Sequence, residues 1–182
     1  PTAAGQELLR EGARLLHEMD AVANRVRRVA TGWEAALTIA VDTIMARDAV
    51  MDLCDAFLTM APPTRLRIQD EALSGTVDAL NKGIADLAIG IPEEAILVGR
   101  WIHHERLGEL RFVYVVAPHH PLARVDRMLT PDELRQHRTI SVGDSISAGT
   151  GVTIGLMPGQ DVLTVPSMQA KLEAQIRGLG GG

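Results

Sequence analysis

The sequence offers few residues suited to covalent or metal chemistry. Histidine occurs in two adjacent pairs, His103 with His104 and His119 with His120. Adjacent residues of a strand face opposite sides, so neither pair can chelate a metal alone, and no cysteine or carboxylate lies at zinc-ligand spacing. The one cysteine, Cys54, lies in an apolar helical pattern, which favours a packed thiol over a nucleophile. We therefore expect no catalytic residue, no metal site and no cofactor.

Residues able to hold a ligand without reacting with it follow the predicted strands. In open α/β sheets, ligands bind outside the carboxyl ends of the strands. Among the residues that this rule selects, we take eight as candidate ligand contacts: Asp42, Thr43, Glu71, Ile91, Val142, Gly143, Ser167 and Met168. We predict that a small molecule binds at these positions.

Each polar candidate also has a structural explanation. The hydroxyls of Thr43 and Ser167 could contact a ligand or cap a helix, and both could hold, because a helix N-terminus binds anions through its free N–H groups. Asp42 and Glu71 could bind a cationic or zwitterionic ligand, or be solvated acids that the helix dipole favours, and for Glu71 the second explanation is preferred. Because the charge of Asp42 would repel a simple anion, we expect a ligand with an amine or several hydroxyls besides any carboxylate.

The elements that must position these residues alternate between strands and helices. Alternating apolar residues predict strands at 36–42, 66–69 and 86–90, and helical spacing predicts helices at 46–58 and 76–82 between them. Such βαβαβ alternation with short connections predicts a parallel sheet.

The second half of the chain restarts this alternation and predicts a second lobe. Its patterns place, in chain order, strand-like runs at 96–104 and 110–118, a helix at 131–136, strands at 138–142 and 161–165, and a helix from Ser167 to Gly178. Residues 143–151 form a loop rich in Gly and Ser. The loop lacks the lysine and the glycine spacing of a phosphate-binding loop, so we expect a flexible connection.

A long helix is predicted over residues 2–32, with Thr2 as its N-cap and Gly32 as its stop. Apolar residues recur along it at heptad a and d positions, interrupted only at Gly12: Leu8, Leu15, Met19, Val22, Val26 and Val29. A helix of roughly 28 residues, about 42 Å long, cannot bury a narrow apolar stripe against itself. We predict that it pairs with a second copy.

Composition sets the broad class of the protein. The 182 residues, 46% of them hydrophobic, suffice for one sizeable domain or two small lobes. A formal net charge of -5 without a dense Lys/Arg run argues against DNA contact by these residues. A single cysteine excludes an internal disulfide, and no stretch of about 18 uncharged apolar residues is present. We expect a cytoplasmic protein with no membrane partner.

Five stretches together resemble the LysR-type transcriptional regulators across essentially the whole chain. They are TAAGQELLREGARLL leading into the long helix, ALTIAVD, LNKGIADLAIG, VVAPHHPLA and LEAQIRGLGGG. KGIADLAIG and VVAPHHPLA at this separation are quite specific, whereas the helix alone is weak support. The resemblance implies an α/β protein in which a long N-terminal dimerisation helix precedes a two-lobed, type 2 periplasmic-binding-protein-like effector domain.

The resemblance also implies how the chain is divided. It implies a linker helix over 1–32, one effector lobe over 33–117 and a second over 118–182, in a homodimer or homotetramer. DNA would be bound only by a winged helix-turn-helix outside this sequence, and the second lobe would continue beyond it.

The function that the resemblance implies is a transcription regulator controlled by a small-molecule effector. The alternative is a periplasmic-type solute-binding protein, which would need a secretory signal and would have no use for a heptad helix. An enzyme on the same fold would need convergent acid, base or nucleophile groups, and the sequence provides none.

Overall fold

The computed structural model describes residues 2–92, 102–146 and 154–182. Its elements are α1 (Ala3–Thr31), β1 (Ala36–Asp42), α2 (Arg47–Thr59), β2 (Arg65–Glu71), α3 (Ser74–Asn81), β3 (Leu87–Ile89), a 3-10 turn (Pro121–Arg124), α4 (Pro131–Arg135), β4 (Thr139–Val142), β5 (Val162–Val165) and α5 (Met168–Ile176). The predicted alternation of strands and helices is confirmed within these ranges, except over residues 102–118.

The first sheet is parallel, with the strand order β2-β1-β3. β1 is central, and its side chains are buried on both faces: Ile39 and Val41 pack with Val50 of α2, and Ala40 packs with Ala79 of α3. A central strand covered by helices on both faces reads as a continuous apolar run, as this one does. The carboxyl ends of all three strands therefore meet at one edge.

The second sheet consists of β4 and β5, also parallel, with Thr139 opposite Val162 and Val142 opposite Val165. Ile140 is fully buried in it. Ser167 ends the connection from β5 and begins α5. The second sheet thus presents a strand end and a helix start at the same edge.

Helix α1 begins and ends where the sequence predicts. The Thr2 hydroxyl accepts a hydrogen bond from the Gly5 amide at 3.2 Å, and Gly32 terminates the helix in the left-handed conformation with φ 76°. The six predicted seam residues are all exposed, from 48% at Val22 to 87% at Val29. The helix therefore offers its apolar stripe to solvent.

The strand predicted over 110–118 is wrong. Residues 102–117 have no regular secondary structure, and the pairing observed there joins Val115 to Gly182 through two backbone hydrogen bonds of 3.0 and 3.1 Å. An apolar alternation becomes a strand only where a neighbouring backbone continues the hydrogen-bond ladder, which a local pattern does not specify. Most of the run predicted over 96–104, and residues 147–153 of the predicted loop, lie outside the described residues.

Candidate functional site

A cavity of about 810 Å³ opens between the carboxyl end of β1 and the start of α5. Small-molecule sites typically have volumes of about 300–1,000 Å³. Four of the predicted ligand contacts line it: Asp42, Thr43, Ser167 and Met168. Residues 110–115 and the start of α2 form further walls. The structure thus brings Asp42 and Ser167, which are 125 positions apart in the chain, to one cavity.

Thr43 contributes a buried hydroxyl that has no hydrogen-bond partner among the described residues. Its backbone is fixed, because the Thr43 amide donates to the Glu71 carbonyl at 2.8 Å. The hydroxyl does not cap α2, whose N-cap residue is Ala46, so the capping explanation for Thr43 is wrong. A buried hydroxyl without a partner costs about 1–3 kcal/mol, which a polar group of a ligand would recover.

Ser167 does cap a helix, as the structural explanation expects. Its oxygen accepts a hydrogen bond from the Ala170 amide at 3.1 Å at the start of α5. A hydroxyl that accepts one hydrogen bond retains its own proton for donation. Capping therefore leaves Ser167 able to donate to a ligand in the cavity.

Asp42 is 6% exposed, and both of its carboxylate oxygens are engaged. Oδ1 accepts from the Ile44 amide at 2.9 Å, while Oδ2 accepts from the Leu73 amide at 2.9 Å and from the Thr76 hydroxyl at 3.4 Å. Burial raises the pKa of Asp42, against the opposing effect of these hydrogen bonds. Leu73 has φ 55°, a strained value for a branched side chain, and the bond to Asp42 helps to hold it there.

Glu71 lies where the two sheets touch and not in the lining of the cavity. The Ser145 hydroxyl donates to its carboxylate, and the Ala72 amide donates to the Ser145 hydroxyl at 2.9 Å. Beside them, the Ser74 hydroxyl donates to the Asp144 carboxylate at 2.7 Å. We call residues 71–75 together with Asp144 and Ser145 the inter-sheet contact.

Gly75 allows this close approach. A Cβ atom at Gly75 would lie 1.8 Å from the Ser145 Oγ and 2.6 Å from the Glu71 Oε2, distances that no real side chain tolerates. A larger residue at this position therefore fits only if the Ser145 and Glu71 side chains move, so glycine is favoured here because of packing.

The remaining predicted contacts border the same strand ends without lining the cavity. Gly143 is tied to the second sheet, because its amide donates to the Val165 carbonyl at 2.9 Å. Val142 ends β4, and Ile91 is half-buried after Gly90, which lies against Asp42.

Sequence reasoning did not single out several polar residues that the structure places at the site. Arg47 forms a two-pronged ion pair with Asp70 at 3.1 and 2.6 Å, and Arg111 and Lys171 also line the cavity. The sequence could have identified Lys171, because it lies four residues after Ser167 and therefore on the same face of the helix. Nothing in the local sequence identifies Ser145, because its hydrogen-bond partner Glu71 is 74 residues away.

The histidines form no metal site in the described ranges. The rings of His120 and His137 lie 4.9 Å apart, and the Leu122 amide donates to His120 Nδ1. Burial, and then the neighbouring His137, lower the pKa of His120. Within residues 2–92, 102–146 and 154–182 no three His, Cys, Asp or Glu side chains gather as metal ligands, and no helix has the length and apolarity to span a membrane.

Comparison with known proteins finds a protein family whose model matches most of the chain. Residues 30–182 match the LysR substrate binding domain. The chain is 35% identical over 181 residues to the uncharacterized HTH-type transcriptional regulator YeeY of Escherichia coli K12, covering 100% of this chain and 58% of that protein. It is 32% identical over 179 residues to the probable HTH-type transcriptional regulator YhaJ of the same strain, covering 98% and 59%. The chain thus spans less than two thirds of these relatives.

A solved structure shares the fold. CrgA, a LysR-type transcriptional regulator from Neisseria meningitidis, matches with a TM-score of 0.51 at 20% identity, over 99% of this chain and 60% of that one.

Proposed function

The chain belongs to the LysR substrate-binding-domain family, and we propose that it forms the effector-binding and oligomerising part of a transcription regulator. In this proposal a small-molecule effector occupies the cavity and α1 pairs with a second copy. A helix-turn-helix domain outside these residues binds DNA. The protein carries out no chemical reaction, and it works in the cytoplasm, where its DNA is.

The position of the cavity carries the proposal. Thr43 follows a strand of the first sheet, Ser167 follows a strand of the second, and both line one cavity. A ligand that contacts both binds across the two sheets, so its binding energy favours one relative arrangement of them. Transmitted through paired α1 helices, that change alters how two DNA-binding domains sit on their half-sites.

We assign ligand contact to the predicted residues that line the cavity, Thr43, Ser167 and Met168, with Asp42 as their support. Glu71, Val142 and Gly143 lie at or beside the inter-sheet contact, and Ile91 lies near Asp42. The role proposed for these four is to fix the loops around the cavity.

The exposure of α1 supports the oligomer. Six apolar residues at heptad positions lie open to solvent along one helix. Their burial against a partner helix gives about 25 cal/mol per Å² of apolar surface. We propose a homodimer through α1, with association into a homotetramer as the alternative.

The relatives favour this function over a solute-binding protein, because YeeY and YhaJ are both named as HTH-type transcriptional regulators. A paired heptad helix has a use in a regulator with two DNA half-sites and none in a monomeric solute carrier.

The test uses the full-length regulator that contains this chain. Mass spectrometry of small molecules that co-purify with it identifies the effector, and titration calorimetry then measures its binding. Thr43→Ala and Ser167→Ala should each weaken effector binding by about 1–2 kcal/mol while basal DNA binding in a gel shift stays unchanged.

Thr59→Ala is the matched control, because the Thr59 hydroxyl donates to the Asp55 carbonyl at the far end of α2. Unchanged effector affinity in both Thr43→Ala and Ser167→Ala places the effector elsewhere and contradicts the proposal.

A further inference from the structure

Two histidine rings face each other beside the second sheet, away from the cavity. The rings of His120 and His137 lie 4.9 Å apart, with an angle of 60° between their planes. Both residues are half-buried, and neither lines the cavity. Imidazole is the side chain whose ordinary pKa, 6.5 for His120, allows its charge to change in mild acid. A contact between two such rings is therefore a candidate for a response to acid.

His120 has a structural role that depends on its protonation state. Its Nδ1 accepts a hydrogen bond from the Leu122 amide at 3.2 Å, which caps the 3-10 turn over Pro121–Arg124. A ring nitrogen that accepts a hydrogen bond carries no proton, so the neutral ring holds its proton on Nε2. A second proton has to bind at Nδ1, where it takes the lone pair on which the Leu122 amide depends. Protonation of His120 therefore breaks the cap.

The backbone of His137 is held on two sides. Its amide donates to the Leu134 carbonyl at 3.1 Å, and its carbonyl accepts from the Gln160 side chain at 3.2 Å. A positive charge on both rings at their present separation costs free energy, because like charges repel. The contact thus favours neutral rings for two separate reasons, the cap on Leu122 and the repulsion between two charged rings.

Among the described residues, no carboxylate compensates a positive charge on His120. The charged groups that act on this ring are His137 and the adjacent His119, whose own ring lies against Gly178 after α5. Burial lowers the pKa of His120 most, and His137 and His119 lower it further. The surrounding elements also carry four arginines, none of which acts on the ring: Arg124, Arg135, Arg138 and Arg177.

The contact joins two segments that lead into the second sheet. On one side, the His120 amide donates to the Ala117 carbonyl at 2.9 Å, just before the 3-10 turn. On the other side, His137 lies two residues before β4, whose first residue is held beside β5 by a 2.9 Å hydrogen bond from the Thr139 amide to the Asp161 carbonyl. Opening of the contact therefore removes a tie between the 3-10 turn and the start of β4.

We propose that His120 and His137 form a proton-sensing site, and that mild acid is a second signal for this protein. A proton taken up from the solvent at His120 Nδ1 releases the Leu122 amide and places a positive charge next to His137. The 3-10 turn then separates from the start of β4. Protonation of histidine clusters at about pH 5–6 changes contacts in the same way in known pH sensors. The inference goes beyond the proposed function, because the site lies outside the cavity and needs no effector.

The first test measures the titration of His120 in the full-length protein, from NMR signals of histidine labelled with ¹³C at Cε1 and assigned by single substitutions. The His120 signal should titrate with a midpoint below the ordinary pKa of 6.5. His137→Gln removes the charge of the neighbouring ring, so the midpoint of His120 should rise. His104→Gln, the same change at an exposed histidine outside the contact, should leave that midpoint where it is.

The second test follows the cap and β4 by hydrogen exchange with mass spectrometry, at about pH 7.5 and about pH 5.5 with correction for intrinsic exchange rates. The stability that the neutral His120 ring provides is present above the unfolded pKa of 6.5 and is lost as the pH falls through the folded pKa. The peptide that contains Leu122 should therefore exchange about fivefold faster in acid, the ratio that corresponds to about 1 kcal/mol for one hydrogen bond. Peptides that cover Thr139–Val142 should also exchange faster in acid.

Substitutions at His120 separate proton sensing from a purely structural role. His120→Asn keeps a side-chain acceptor for the Leu122 amide and has no titratable group, so both sets of peptides should lose their response to acid. His120→Ala removes the cap, so the Leu122 peptide should exchange rapidly at both pH values. His104→Asn is the matched control and should respond to acid as the parent does.

Three results overturn the inference. If His137→Gln leaves the midpoint of His120 unchanged, the two rings do not interact. If His120→Asn keeps the response of the parent to acid, another group is the sensor. If acid changes the exchange of the Leu122 peptide but not that of β4, His120 titrates without affecting the second sheet. The proposed function is judged separately, by the effect of Thr43→Ala and Ser167→Ala on the binding of the co-purified effector.

Discussion

Helix α1 exposes the residues that its sequence pattern marks for burial, whereas the inter-sheet contact joins groups that no local pattern marks. Leu15 and Val29 of the α1 seam are 51% and 87% exposed. In the inter-sheet contact, Gly75 is buried and Ser145 is held by Glu71 and Ala72. The apolar repeat of α1 is thus left exposed within one chain, while the specific polar contacts between the two sheets are settled by the fold.

The two regions also differ in what stabilises them. Along α1 the contacts are local, as in the ion pairs of Arg14 with Glu11 and Glu18. Such exposed pairs contribute little to stability, because water and salt screen the attraction between the two charges. The inter-sheet contact is long-range and partly buried, so a single steric change should disturb it more than a change of one α1 ion pair.

The largest effect is expected when the α1 seam is charged. Leu15→Asp together with Val22→Asp would place carboxylates between paired helices, at a cost of several kcal/mol unless the pair separates. Analytical ultracentrifugation at micromolar concentration should show the parent as an oligomer and the double variant as a monomer.

The matched control is Leu9→Asp with Leu16→Asp, which changes two exposed leucines of α1 outside the seam. The control should remain oligomeric. A double seam variant as oligomeric as the parent would show that α1 does not pair through these residues.

An intermediate effect is expected when the inter-sheet contact is overpacked. Gly75→Ala puts a methyl group on the Ser145 Oγ and should lower the free energy of unfolding by about 1–3 kcal/mol. Alanine is otherwise favoured over glycine in a helix, so a loss of stability at this site has a steric origin. Urea unfolding measures it.

A second substitution should restore part of the unfolding free energy that Gly75→Ala removes. Ser145→Gly deletes the side chain that a Gly75 methyl group would meet, so the double variant should recover part of the loss relative to the two single variants. Gly12→Ala is the control, since a Cβ there meets nothing within 4 Å. Strictly additive single and double variants would mean that the two residues do not touch.

The smallest expected effect is a pH dependence of the free energy of unfolding that arises from Asp42. Its carboxylate accepts a hydrogen bond from the Leu73 amide and so holds the start of the inter-sheet contact in place. Burial raises the pKa of Asp42 above its ordinary value of 3.8, and nearby Asp144 adds to the increase. The folded state therefore holds this proton more tightly than the unfolded state. The stability that the proton provides is complete below the unfolded pKa and is lost as the pH rises through the folded pKa.

Unfolding free energies of the parent and of Asp42→Asn should accordingly diverge with pH. From about pH 4 to pH 7 the parent should lose stability relative to the variant, because the parent alone carries the carboxyl group whose folded pKa is raised. A constant difference between the parent and Asp42→Asn across this range would mean that the carboxyl group is not titrated differently on folding.

The sequence alone determined the elements whose causes are local. The cap at Thr2, the stop at Gly32, the capping box of Thr130 with Glu133 and the cap at Ser167 all lie where the residue types predict. The parallel pairing of β1 with β2 and β3 also follows, because short crossovers leave few other arrangements. Each of these depends on residues only a few positions apart or on a periodicity visible in one segment.

Tertiary structure decided what depends on distant neighbours. Residues 110–118 carry the pattern of a strand, but among the described residues only Val115 finds backbone pairing, with Gly182. Thr43 carries the type of a capping residue but lies too far before α2 to cap it. The cavity lining and the fit of Ser145 against Gly75 required the two sheets to be placed side by side. Hydrogen-bond partners and steric fit are properties of pairs of atoms, and when the pair lies 70 residues apart, as in Ser74 with Asp144, no window of sequence contains both members.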